Sequence, residues 1–82
     1  MYLSKQKYII TDNKEIIVFT ELLQHSEFKY FNPISAGFIS FGVKEGKPSC
    51  SCHGESVSLG LKSNPEEDTK IAKRQLNMLD EC

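Results

Sequence analysis

Tyr8-Ile9-Ile10-Thr11-Asp12-Asn13-Lys14-Glu15-Ile16-Ile17-Val18-Phe19 sets the fold class. Tyr8 to Thr11 and Glu15 to Phe19 are runs of β-branched and aromatic residues, the types that suit a pleated, half-buried surface. Between them lie Asp12 and Asn13, which tolerate the left-handed backbone of a tight turn. The stretch reads as a β-hairpin. Thr20 then offers a hydroxyl to cap a short helix predicted over Glu21 to about Phe28, with Leu22 and Leu23 as its buried side. Asn32-Pro33 ends that element in a loop.

A second β-rich run follows, Ala36-Gly37-Phe38-Ile39-Ser40-Phe41-Gly42-Val43. Lys44-Glu45-Gly46-Lys47-Pro48 closes another hairpin, and Ser49 to Leu61 is expected to return as the partner strand. The alternation along this return slips. Cys50 and Cys52 fall on even positions, while Val57, Leu59 and Leu61 fall on odd ones. One extra residue brings all five to one face, so a bulge or break is expected at His53-Gly54.

The last element opens at Asn64, an N-cap residue, with Pro65 in the first turn and Glu67 at the capping-box position. Ile71, Ala72, Gln75, Leu76 and Leu79 then form one stripe at helical spacing. Asp80 and Glu81 sit unfavourably at the negative end of the helix dipole, so residues 80–82 are expected to fray. Residues 1–6 read as a flexible start. The expected fold is α+β, in the order ββαββα. About four antiparallel strands form one sheet with two helices on one face, giving two layers in a single domain spanning residues 1–82.

Composition bounds the function. The chain has 82 residues, of which 39% are hydrophobic, enough for one small folded domain. Ten Lys and Arg against eleven Asp and Glu give a net charge of −1, so no global field draws it to nucleic acid or to an anionic membrane. Arg74 is the one arginine, which leaves almost no bidentate forks for phosphate or guanine. No apolar run approaches the length of a signal peptide core or a membrane span. An odd count of three cysteines suits reduced thiols better than a disulfide framework. These features point to the cytoplasm and to no membrane partner.

Cys50-Ser51-Cys52-His53 carries the ligand types that zinc prefers, with Cys82 as a further sulfur. The spacing is not that of a zinc knuckle, and no second ligand pair exists. Small buried thiols in a strand are the stronger reading. Cys50, Cys52 and His53 remain the residues from which a metal- or thiol-dependent site would be built. Gly54 to Ser63 has the residue types of a phosphate loop, but five residues separate its glycines and Leu61 intervenes before Lys62. Gly54-Glu55-Ser56-Val57-Ser58 lacks the second glycine of a nucleophile elbow. His25-Ser26-Glu27 reads as a solvated helix end. Phe28-Lys29-Tyr30-Phe31 offers rings that stack bases, but one lysine makes a poor electrostatic groove, so nucleic-acid binding is disfavoured. These rings fill a helix–sheet core or project as a partner surface.

On Ser35-Ala36-Gly37-Phe38 and on His53 through Ser63, the chain resembles a group of short uncharacterised proteins from gut bacteria and their phages. The resemblance runs from Tyr8 to about Leu76. It implies a bacterial or phage cytoplasmic origin and no particular mechanism. The residues themselves carry no catalytic constellation and require no cofactor. They point instead to a non-enzymatic module that binds another protein or forms a homodimer. The outer face of the second hairpin, with Phe38, Ser40, Glu55, Ser56 and Ser58, is the candidate interaction surface.

Overall fold

The computed structural model describes residues 2–76. The fold is α+β. Strand β1 (Tyr2–Thr11) pairs with β2 (Ile16–Phe19), a 3-10 helix (His25–Phe31) follows, and β3 (Pro33–Lys44) pairs with β4 (Lys47–His53). Two short strands, β5 (Glu55–Ser56) and β6 (Leu61–Lys62), precede helix α1 (Pro65–Gln75). The antiparallel four-stranded sheet has the order β2-β1-β3-β4, and β5 with β6 forms a separate two-stranded ribbon.

The long strand β1 starts well before Tyr8. Residues that read as a flexible start are paired instead, with Lys5 opposite Ser40 and Gln6 opposite Ile39. Length explains it: β3 is a twelve-residue strand, and only a β1 of similar reach satisfies its backbone. The β3–β4 turn places Glu45 (φ 53°) and Gly46 (φ 78°) in the left-handed region, as a two-residue hairpin connection requires.

Tyr8, Ile9 and Ile10 all have 0% solvent exposure. Because successive side chains point to opposite faces, the sheet must be covered on both. Tyr8, Ile10, Ile39, Cys50 and Cys52 pack under Ile71 and Ala72 of α1. Ile9, Phe19 and Ala36 pack on the other face against Phe28, Leu23, Leu59 and Leu61. The two helices therefore do not share a face as expected from the sequence. The 3-10 helix lies on the crossover from β2 to β3, which sit on either side of β1. That connection must pass over the face opposite α1.

The crossover is a 3-10 helix and not the α-helix expected from Glu21. His, Ser, Phe and Tyr are weak helix formers, and Asn32 (φ 55°) before Pro33 stops the segment. Thr20 Oγ1 accepts from Leu22 N at 3.3 Å and closes a turn, leaving Leu22 90% exposed. The cap shifts to Gln24, whose N–H donates to Glu27 Oε2 at 2.9 Å.

The expected break at His53-Gly54 is present, with Gly54 at φ 82° between β4 and β5. Its effect differs from the expectation. The chain leaves the sheet and turns into the small ribbon. Cys50 and Cys52 thus face α1, Leu59 and Leu61 pack on the opposite face, and Val57 is 85% exposed. The end of β4 passes so close to β3 that a Cβ on Gly37 would lie 2.4 Å from the His53 carbonyl oxygen.

Helix α1 starts at Pro65 as its sequence dictates, but the Asn64 side chain makes no cap bond. Asp68 replaces it: Oδ2 accepts Asn64 N at 3.0 Å and the Tyr8 hydroxyl at 2.5 Å. Ser63 Oγ also lies 2.5 Å from that hydroxyl. Asp68 is 2% exposed, so these donors are what makes its burial tolerable. Burial, and next the bond to Asp68, push the Tyr8 phenol well above its ordinary range and keep it a donor.

Two side chains of α1 also close the sheet edges. Gln75 Oε1 accepts Ile16 N at 2.8 Å and Gln75 Nε2 donates to Lys14 O at 2.8 Å, capping β2. Thr69 Oγ1 accepts Cys52 N at 3.0 Å on the outer side of β4. Pro48, in phase with Cys52 along β4, has no N–H to offer there. Leu79, the fraying expected at 80–82 and the Cys82 sulfur lie outside the described residues. No helix among the described residues is long and apolar enough to cross a membrane.

Tyr8→Phe keeps the ring and removes the donor to Asp68. Its expected cost is about 1.5–3 kcal/mol, the range for hydrogen bonds to charged or strongly polar buried groups. Urea denaturation checks this: the midpoint should fall with an unchanged m-value.

Candidate functional site

Alternation along β4 separates the residues of the Cys50-Ser51-Cys52-His53 cluster. Cys50 and Cys52 are free thiols buried beneath α1. His53 lies opposite Phe38, on the other face, and its ring stacks beside the Phe38 ring with centroids 6.3 Å apart. The three cannot converge on one ion. Burial pushes the Cys52 thiol up to about 12 and also raises Cys50, so both are held as thiols under ordinary conditions. Among the described residues, no group of three or more His, Cys, Asp and Glu side chains is arranged to hold a metal.

The face opposite α1 carries an unbroken row of rings. Phe31 lies beside Phe28, Phe28 stacks on Phe19 at 4.0 Å, and Phe19 meets His25 edge-on at 5.5 Å. His25 meets Phe38 edge-on at 5.8 Å, and Phe38 leads to His53. Phe28 fills core, whereas Tyr30 and Phe31 are exposed.

At the Phe38 end of this row the chain leaves a groove of about 470 Å³, lined by Lys7, Gln24, His25, Phe38 and residues 54–58. Its floor is β3, one wall is the start of the 3-10 helix, and the other is the β5–β6 ribbon. The ribbon reaches this position because Gly54, at φ 82°, turns the chain against the Phe38 ring. Lys7 donates from Nζ to Leu23 O at 2.7 Å, tying the crossover to β1. Ser56 is buried and its Oγ accepts Leu59 N at 3.2 Å, which shapes the ribbon's turn.

The five surface candidates fall unequally. Phe38, Glu55, Ser56 and Ser58 all line the groove. Ser40 is buried under the same face, where its Oγ lies 2.9 Å from His53 Nε2. That serine–histidine contact needs the β3–β4 register to be seen, because Ser40 is directly opposite Ser51 and reaches His53 diagonally. Its hydroxyl is buried, and among the described residues no carboxylate holds the other ring nitrogen, so the pair lacks the third member of a nucleophilic triad.

Sequence reasoning missed Lys7 and His25 as groove residues. The odd phase of Lys7 with Ile9 on β1 was the available signal. His25 had none, because its position depends on the crossover. A second hollow, about 340 Å³, lies between Asn13-Lys14 and Glu67, Ile71, Arg74 and Gln75 of α1. Gln75 bridges it to the hairpin, which makes it part of the edge cap. No protein-family model, no curated protein and no solved structure matches this chain.

His25 is buried between Phe19 and Phe38, with Nε2 2.8 Å from Gly37 O. Burial lowers its pKa from the ordinary 6.5, Lys7 lowers it further, and the bond to Gly37 opposes both. The folded chain thus binds this proton more weakly than the unfolded chain does. Stability supplied by His25 is fully present above about 6.5 and is lost as pH falls below it. In denaturant titrations across this range, His25→Gln should show a shallower acid loss than wild type.

Proposed function

We propose that this chain is a non-enzymatic binding module that recognises another protein, or a second copy of itself, through the groove over Phe38. One observation supports the reading above the rest: Phe38, Glu55, Ser56 and Ser58 line a single open concavity together with Lys7, Gln24 and His25. The groove combines an aromatic floor with a few polar groups at its rim, the usual make-up of a recognition surface. The exposed Val57 adds apolar area beside it. Strand addition is the less favoured mode, since Gln75, Thr69 and Pro48 occupy the edges where a new strand would pair. A cytoplasmic setting agrees with two buried free thiols and with the resemblance to bacterial and phage proteins.

Selection of a displayed random-peptide library on the immobilised protein tests this, with Ser58→Trp as a variant that fills the groove from an exposed position. Peptides should be enriched on wild type and lose about tenfold or more in affinity on the variant. Sedimentation velocity at micromolar concentration tests the self-recognition branch, in which wild type dimerises and Ser58→Trp does not. A monomer that enriches no peptide, or peptides indifferent to Ser58→Trp, overturns the reading.

A further inference from the structure

The face that carries the groove continues along β3 and β4 as a lysine-rimmed, serine-floored strip. Register and alternation place Lys5 and Lys7 of β1, Ser40 and Lys44 of β3, and Lys47, Ser49 and Ser51 of β4 on the Phe38 side of the sheet. From Phe38 to Lys44 the strip is about 20 Å long at about 3.3 Å per residue. Lys5, Lys44 and Lys47 are exposed. Lys5 lies over the Phe38 ring at 5.1 Å and sits 3.8 Å from Glu21. Among the described residues, Lys7, Lys44 and Lys47 have no acidic partner at ion-pair distance. The acids near the strip are Glu21, Glu45 at the tip of the β3–β4 turn and Glu55 on the groove wall.

One pairing stands out against stability. Lys44 and Lys47 are directly opposite each other across the hairpin. Like charges in that position repel and weaken the sheet. Nothing in the packing of this hairpin needs two lysines there, since both side chains are exposed. A ligand with negative charge turns that repulsion into binding.

We propose that the strip and the groove together hold an extended, acidic segment of a partner protein, with an apolar side chain seated over Phe38 and carboxylates along Lys5, Lys44 and Lys47. The proposal rests on reading the groove as a protein-binding surface. Single-stranded nucleic acid fits less well. The strip carries no arginine for bidentate phosphate contact. Ammonium groups spaced along adjacent strands match the carboxylates of an extended chain as point charges.

Fluorescence anisotropy tests it with three labelled probes: a short peptide of Asp and Glu around one central Leu, the same peptide with Lys for each acid, and an oligothymidylate of equal length. The acidic peptide should bind at low salt and weaken as salt rises, and the basic peptide should not bind. The double variant Lys44→Gln, Lys47→Gln should bind about tenfold more weakly. Its melting temperature should stay the same or rise, which a purely structural role for the two lysines would not allow. Absence of acidic-peptide binding at low salt, or affinity unchanged in the double variant, overturns the proposal. Tighter binding of oligothymidylate overturns it in favour of nucleic acid. If displayed peptides without acids bind the groove in a Ser58→Trp-sensitive way, the groove reading stands and the acidic strip falls. If the acidic peptide depends on Lys44 and Lys47 but not on Ser58→Trp, the strip stands as a surface of its own, and the joint occupancy of strip and groove is refuted.

Discussion

Full burial of three consecutive side chains on β1 is the constraint from which the other elements take their places. Tyr8 and Ile10 need a cover on one side of the sheet, and Ile9 needs one on the other. Helix α1 supplies the first. The crossover and the β5–β6 ribbon supply the second. Tyr8 also brings a hydroxyl into the interior, and Asp68 answers it from the first turn of α1. That bond fixes the helix over the sheet, and Thr69 and Gln75 then reach opposite edge strands. One short helix roofs a face and shields both edges, where unpaired backbone invites aggregation.

The two faces are left unequal. Under α1 the packing combines aliphatic side chains, buried thiols and the Tyr8 ring, whose hydroxyl is bonded to Asp68. On the other face the cover is assembled from a 3-10 helix and a small ribbon, and the groove lies between them. The crossover is held by the Lys7 bond to Leu23 O, the His25 contact with Gly37 O and the ring stack on Phe19, and the ribbon by its packing against Ile9 and Ala36.

Local chemistry made much of this legible in the sequence. The first hairpin, the β3–β4 turn at Glu45-Gly46, the break at Gly54 and the start of α1 at Pro65 all follow from residues with strong backbone preferences. The side of the sheet on which each helix sits does not follow from them. It depends on strand order, and that order places β3 beside β1 instead of beside β2. Tyr8-Ile9-Ile10 did carry the warning, since an apolar run without alternation marks a strand buried on both faces. The separation of Cys52 from His53 needed only plain alternation, whereas the Ser40–His53 contact needed the exact register. Phe38, Glu55, Ser56 and Ser58 were legible as a surface, but their meeting in one groove depends on the turn the chain takes after Gly54.

That turn also governs how the domain tolerates change. Residues 57–60 protrude from the ribbon, and Val57, Ser58 and Gly60 are exposed. Chain added to such a tip costs little closure entropy, because the penalty grows only with the logarithm of loop length. Lengthening it would deepen one wall of the groove while leaving the four-stranded sheet and α1 untouched. The architecture thus separates a fixed frame from a variable lip, which can lengthen at the tip without redesign of the interior.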